Sequence, residues 1–118
     1  MIAIIDYGAG NLLSADGIIL PGVGAFGSAM AEMERKGLTE TVKSAAKSGK
    51  PFIGICAGMQ LVFEESEESP DVPGLGVLKG RVLLFPADKG LKIPHMGWNS
   101  IRTKKESRLL GKLSGSPY

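Results

Sequence analysis

The sequence predicts an α/β protein in which a mainly parallel sheet is flanked by helices. Three short apolar runs indicate strands, and segments with helical spacing of apolar side chains lie between the second run and the third. Each run leads directly into a turn that contains glycine. Strands that alternate with helices in this way are typical of a parallel sheet covered by helices.

The elements can be placed along the chain from these patterns. The expected order is strand 2–5, strand 17–20, helix 25–35, helix 38–47, strand 52–55 and helix 57–64. The first two strands are expected to be fully buried, because their apolar runs are continuous. An acidic run at 64–71 is interpreted as a solvated loop, since its charge is unfavourable at a helix C-terminus. Further strands are expected at 82–85 and 96–101, with antiparallel pairing as one option.

The connection between the first two strands is shorter than this fold requires. About ten residues join them, whereas a parallel crossover needs roughly a dozen or more and usually includes a helix. Either the second strand is antiparallel, or residues are missing between Ser14 and Ala15, and the burial of both strands favours missing residues. The end of the chain, 115–118, resembles the approach to a further strand. We therefore expect residues 1–118 to be a single, incomplete domain that lacks segments at Ser14–Ala15 and after Tyr118.

Composition excludes several classes of protein. The chain has 118 residues, 43% of them hydrophobic and 22% charged, and a formal net charge of +2. This size suits one small domain, and the charge is too small to indicate a nucleic-acid partner. No apolar run is long enough to span a bilayer, and the N-terminus lacks the positive region of a signal peptide. One cysteine excludes an internal disulfide, which fits a cytoplasmic protein.

The single cysteine, Cys56, is the strongest functional signal. An apolar strand precedes it and a helical pattern follows it, the arrangement of a nucleophile elbow with sulfur as the nucleophile. Gly54 and Gly58, two residues to either side, would let the strand and the helix approach closely. The helix N-terminus would favour the thiolate, which is the attacking form. The alternative interpretation is a structural cysteine buried on a strand.

Four segments carry a resemblance to a known family. They are residues 4–11 (IIDYGAGN), 20–26 (LPGVGAF), 54–60 (GICAGMQ) and 94–99 (PHMGWN). With them the chain resembles the glutaminase subunits of imidazole glycerol phosphate synthase, which are class I glutamine amidotransferases of histidine biosynthesis. The resemblance implies a flavodoxin-like three-layer fold, with a helix and a strand between the segments that meet here at Ser14 and Ala15. It also implies a catalytic histidine and a catalytic glutamate on the C-terminal side of the elbow, beyond the end of this sequence. The only histidine, His95, belongs to a different segment and does not match the catalytic one.

The resemblance implies a role for each residue around the elbow. Cys56 would attack the side-chain amide of glutamine, release ammonia and form a glutamyl thioester. The oxyanion would be held by the backbone N–H of Ala57 and by that of Val23 or Gly24, either directly or after a flip of a peptide in the glycine loop. A plain strand-to-helix turn is the alternative for that loop. Gly22 and Gln60 would bind the substrate. Without the family, Gln60 would be interpreted as a solvent-facing helix residue, and Met59, Val62 and Phe63 are expected to form the core side of that helix.

The remaining segments are assigned to a partner. The resemblance places Asn11, His95, Met96 and Trp98 at the interface with a cyclase subunit, a (β/α)8 barrel that uses the ammonia. A core aromatic is the alternative for Trp98, and a general base is a weaker alternative for His95. No metal or organic cofactor is implied, and residues 6–11 lack the full dinucleotide fingerprint. Two other functions stay open, namely a truncated interaction module without activity and the amidotransferase subunit of a different synthase.

Overall fold

The computed structural model describes residues 1–5, 14–86, 90, 92–100 and 104, which fall into two compact units, Met1–Leu84 and Phe85–Tyr118. All regular elements among these residues belong to the first unit. They are β1 (Ile2–Ile4), β2 (Gly17–Leu20), α1 (Phe26–Arg35), α2 (Thr39–Lys47), β3 (Phe52–Gly54), α3 (Ala57–Leu61), β4 (Glu65–Ser66) and β5 (Arg81–Val82).

The first unit contains a three-stranded parallel sheet. Its strand order is β1-β2-β3, and the central register aligns Ile4 with Ile19 and Ile19 with Ile53. The predicted parallel sheet with flanking helices is therefore confirmed. Because β1 and β2 run in the same direction, the antiparallel alternative for the second strand is wrong. Residues 5–16 make the connection between two parallel neighbours, which is close to the shortest crossover that such pairing allows.

The core lies on the side of the sheet that α1, α2 and α3 cover. Ile18 and Leu20 of β2 face these helices, as alternate residues of a strand share one face. Four of the large, fully buried side chains in the described residues belong to the helices, namely Phe26, Met33, Val42 and Leu61. The predicted helices 25–35 and 38–47 are confirmed to within one residue at each end, because an apolar stripe at helical spacing faces the core in both.

The expectation that the first strand is fully buried is wrong. Ile2 is 66% exposed and Ile4 is 63% exposed, while Ile5 is buried. Ile2 and Ile4 point to the face of the sheet opposite α1 and α3, and Ile53 and Ile55 are also exposed there. A continuous apolar run predicts burial on both faces, but the described residues place helices against only one.

The helix after the third strand is shorter than predicted. It ends at Leu61, not at residue 64, because a later segment uses its carbonyl oxygens. The N–H of Leu75 donates to the Leu61 carbonyl (2.8 Å), and the N–H of Val77 donates to the Val62 carbonyl (2.9 Å). Met59 is 52% exposed, so its predicted place in the core is wrong, whereas Val62 is buried.

The interpretation of the acidic run as a solvated loop is wrong in part. Glu65–Ser66 forms β4 and pairs in parallel with β5, and Ser66 is only 3% exposed. Two neighbouring carboxylates accept backbone N–H groups of the segment around β5: Glu64 Oε2 from Gly80 (2.7 Å) and Glu67 Oε2 from Leu84 (2.9 Å). The carboxylates thus bind unpaired amides of another segment, which a count of charges does not reveal.

Of the two strands predicted after residue 80, the structure contains only a short part of the first. Strand 82–85 is reduced to Arg81–Val82, and its pairing is parallel. Residues 96–100 form no strand, and residue 101 lies outside the described residues, so the prediction for 96–101 is wrong over the part that can be compared. In the described ranges, no helix has the length and apolar character needed to cross a membrane.

Candidate active site

Cys56 lies at a sharp turn between β3 and α3. Its backbone has φ 55° and ψ −124°, and it is the only non-glycine residue with positive φ in the described part of the chain. Such a conformation costs an L-residue about 1–3 kcal/mol and persists only where the surrounding structure holds it. The side chain is exposed, so the alternative of a buried structural cysteine is wrong. The turn presents the sulfur at the surface, as a nucleophile elbow requires.

The glycines on either side of Cys56 allow β3, α3 and β2 to pack backbone against backbone. A Cβ atom on Gly58 would lie 2.0 Å from the Leu20 carbonyl oxygen. A Cβ atom on Gly54 would lie 2.7 Å from the Cα atom of Met59. Real Cβ atoms do not approach this closely, so the prediction that these glycines permit a tight strand–helix contact is confirmed. The strained conformation of Cys56 is held by this packing.

The glycine loop that follows β2 runs beside the elbow. Gly22 is buried, and a Cβ atom on it would lie 2.2 Å from the backbone nitrogen of Gly58. Val23 is 84% exposed, and Gly24 has a φ of 83°. A backbone hydrogen bond from the Ile55 N–H to the Leu20 carbonyl (2.9 Å) joins the ends of the two strands. The loop and the elbow therefore form one backbone cluster at the carboxyl edge of the sheet.

The backbone donors expected for an oxyanion hole are unpaired. Within the part of the chain that the structure describes, no acceptor takes the N–H of Val23, Gly24 or Ala57. The next amides are used: Gly58 donates to the Ile55 carbonyl (3.0 Å) and Met59 to the Cys56 carbonyl (3.0 Å). Ala57 is itself buried, and a buried N–H without a partner is rare in native structures. An available donor next to the nucleophile is the arrangement that stabilises a tetrahedral oxyanion.

Gln60 lies one helical turn beyond the nucleophile. Its N–H donates to the Cys56 carbonyl (3.3 Å), and its side chain is partly exposed. The structure therefore brings Gly22, Ala57 and Gln60 close to the elbow at Cys56, and Val23 and Gly24 follow Gly22 in the chain.

The residues assigned to a partner interface lie elsewhere in the chain. His95, Met96 and Trp98 belong to the second unit and are exposed, Met96 to 84% and Trp98 to 98%. The alternative of a core aromatic for Trp98 is therefore wrong. Nε2 of His95 lies 3.1 Å from Nδ2 of Asn99. Asn11 lies outside the described residues. Where the structure is described, no three His, Cys, Asp or Glu side chains are grouped as metal ligands would be.

Sequence reasoning missed two residues next to the glycine loop. Oε2 of Glu68 accepts the N–H of Phe26 (2.8 Å), and Oγ of Ser69 accepts the N–H of Gly27 (3.1 Å). Both donors belong to the first turn of α1, which follows the glycine loop directly. No spacing signal links residues 42 positions apart, so only the fold reveals this contact.

A strained cysteine elbow beside a glycine loop with free backbone donors is an arrangement typical of sites for nucleophilic attack on a carbonyl group. The family model for class I glutamine amidotransferases matches residues 4–117, and the chain belongs to that family.

Within that family, the chain is similar to several subunits of one enzyme, imidazole glycerol phosphate synthase. The chain is 48% identical to the imidazole glycerol phosphate synthase subunit HisH of Desulfitobacterium hafniense over 141 residues, a match that covers all of this chain and 66% of the relative. It is 44% identical to the HisH subunit of Listeria innocua, covering 98% of this chain and 66% of the relative. The HisH subunit of Methanothermobacter thermautotrophicus is 47% identical, with 93% and 65% covered. The chain thus spans slightly less than two thirds of the length of these relatives.

Proposed function

We propose that this chain is the glutaminase part of an imidazole glycerol phosphate synthase and acts in histidine biosynthesis. The observation that carries the proposal is the elbow, where Cys56 has a strained positive φ and lies beside unpaired backbone donors. The names of the relatives support the choice of synthase. The third function considered, the subunit of a different synthase, has no such support.

The proposed reaction proceeds in two steps. The thiolate of Cys56 attacks the side-chain carbonyl of glutamine, and the oxyanion that forms accepts hydrogen bonds from the N–H of Ala57 and that of Val23 or Gly24. Collapse of this intermediate breaks the C–N bond, and ammonia leaves with a proton from a general acid. Water then attacks the glutamyl thioester, which releases glutamate and restores the thiol. Gly22 and Gln60 complete the proposed substrate site.

The general base for these steps is proposed to lie in a part of the protein beyond residue 118, as the family resemblance implies. We also propose that the chain is one incomplete domain with a further segment between Ser14 and Ala15. The alignment with the Desulfitobacterium relative extends over 141 positions, against 118 residues here, which supports an internal gap. The short connection through residues 5–16 between two parallel strands supports the proposed position of that segment.

The ammonia is proposed to pass to a cyclase subunit, a (β/α)8 barrel, in a cytoplasmic heterodimer with lyase activity. Ammonia that escapes into bulk water is protonated and loses its nucleophilic character, so transfer needs a closed passage between docked subunits. Asn11, His95, Met96 and Trp98 are the proposed docking residues. The exposure of Met96 and Trp98 supports this assignment, because large exposed apolar side chains commonly anchor interfaces.

The proposed docking predicts that the barrel raises the rate of glutamine hydrolysis and that Trp98→Ala weakens the response. Loss of an aromatic anchor at an interface costs about 2 kcal/mol or more, which is roughly a thirtyfold rise in the Kd for the barrel. The measurement is ammonia release at increasing concentrations of the barrel subunit. Leu78→Ala is the matched control, since Leu78 is a large apolar side chain that is 51% exposed in the first unit.

Each result of this titration separates the proposals. Equal rates with and without the barrel would contradict activation by a partner. A Kd that is the same for Trp98→Ala and for the control would contradict the assigned interface but not the chemistry. Docking without any glutamine hydrolysis would favour the inactive interaction module.

A further inference from the structure

The N-terminus of α1 has no cap of its own. Its N-cap residue is Ala25, which has no side-chain oxygen, and the first turn contains no acidic residue. The first N–H groups of a helix have no intrahelical acceptor and need partners from elsewhere. Here the acceptors come from a turn far along the chain, where Glu68 Oε2 lies 2.8 Å from the Phe26 nitrogen and Ser69 Oγ lies 3.1 Å from the Gly27 nitrogen.

The turn that supplies these acceptors is itself fixed in place. Ser66 is buried, its Oγ accepts the N–H of Glu68 (3.2 Å), and its carbonyl accepts the N–H of Ser69 (3.1 Å). The N–H of Glu67 donates to the Val82 carbonyl across the β4–β5 pair (3.0 Å). The acceptors are therefore held by a strand pair and not by a free loop.

The glycine loop lies between this tertiary cap and the elbow. Its first glycine, Gly22, packs against the backbone of Ala57 and Gly58. Its last residues lead into Ala25 and Phe26, where the cap begins. The two residues between these fixed ends, Val23 and Gly24, carry the free N–H groups. The position of those donors is consequently set from both ends.

We propose that Glu68 and Ser69 are positioning residues, which hold the oxyanion-hole donor of the glycine loop, the N–H of Val23 or Gly24, in place through the N-terminus of α1. This inference rests on the proposed glutaminase function. It assigns to two residues of the acidic run a role in the transition state of amide hydrolysis, although neither contacts the reacting atoms in the proposed mechanism.

The test compares Ser69→Ala, Glu68→Ala and Glu68→Gln in the full-length protein docked to its barrel subunit. The kcat for glutamine is expected to fall about tenfold in the two alanine variants with KM nearly unchanged, because the oxyanion exists only in the transition state. Outright loss of one oxyanion donor costs about a hundredfold or more, and a displaced donor should cost a part of that. Glu68→Gln keeps an acceptor oxygen and should recover most of the rate. Glu65→Ala is the control, since Glu65 is an exposed glutamate of the same run.

A second measurement keeps this inference separate from the proposed function. Amide hydrogen exchange at Phe26 and Gly27 reports the cap directly, without activity, and should accelerate about tenfold in Ser69→Ala and Glu68→Ala but not in Glu65→Ala. Faster exchange with an unchanged kcat would overturn the positioning role and leave the glutaminase function standing. A rise in KM at constant kcat in the Glu68 variants would also overturn it, because it would mean direct contact with the substrate. A parent protein that releases no ammonia would overturn the proposed function and this role together, whatever the exchange rates.

Discussion

Replacing Cys56 with alanine is expected to lower glutamine hydrolysis by more than about a thousandfold. In the proposed mechanism the sulfur divides one difficult amide hydrolysis into two easier steps, and loss of the nucleophile removes both. No other cysteine of these 118 residues can replace Cys56, because the sequence contains only this one. Ammonia release in the presence of the barrel subunit is the measurement.

Cys56→Gly provides the matched control for folding. Glycine adopts the observed φ of 55° without a Cβ clash, whereas alanine retains the strain. We therefore expect the glycine variant to be more stable than the alanine variant by about 1 kcal/mol in denaturant unfolding, with both inactive. A glycine variant that is less stable than the alanine variant would contradict the strained elbow. Substantial activity in either variant would contradict the role of the sulfur.

Gly58→Ala is expected to destabilise the protein by about 3 kcal/mol, because the added methyl group overlaps backbone atoms of another element. The new Cβ atom would lie 2.0 Å from the Leu20 oxygen and 2.9 Å from the Pro21 carbonyl carbon. Both are backbone atoms, which cannot turn aside as a flexible side chain can, so β2 and α3 must separate. Unfolding by urea, followed through circular dichroism, gives the change in free energy of unfolding.

Gly17→Ala is the comparison for that substitution. Gly17 lies in β2, has no strained φ, and a Cβ atom on it would meet only ordinary contacts, 3.5 Å from the Pro51 oxygen. We expect its free energy of unfolding to change by less than about 1 kcal/mol. If the two variants unfolded at the same urea concentration, the close packing of α3 against β2 would be contradicted.

The helices could be predicted because the side chains that face the core recur at helical spacing in the sequence. The apolar stripe of α1, with Phe26, Met30 and Met33, gave both its bounds and its buried face. Burial of β1 could not be predicted in the same way. A continuous apolar run indicates that a strand suits burial on both faces of a sheet. The described residues cover only one face of this sheet, so Ile2 and Ile4 of β1 are exposed.

In the candidate site, features formed by consecutive residues could be predicted from the sequence, whereas contacts between distant segments could not. The elbow could be predicted because its strand, nucleophile, glycines and helix are consecutive in sequence, and the close approach at Gly54 and Gly58 follows from that order. The cap of α1 could not, because Glu68 and Ser69 reach it only when β4 pairs with β5. The acidic run therefore resembled a solvated loop in sequence, although its carboxylates bind backbone amides in the structure.

Acylation of Cys56 by glutamine is the first step of the proposed reaction, and it can be tested by trapping the glutamyl thioester. The docked protein would be mixed with glutamine, quenched in acid within the first turnovers and digested, and the peptide that contains Cys56 would be weighed by mass spectrometry. We expect the Cys56 peptide to gain the mass of one glutamyl group, and we expect hydroxylamine to remove it, as it cleaves thioesters. Steady release of ammonia with Cys56 unmodified, or with the glutamyl group on another residue, would contradict it.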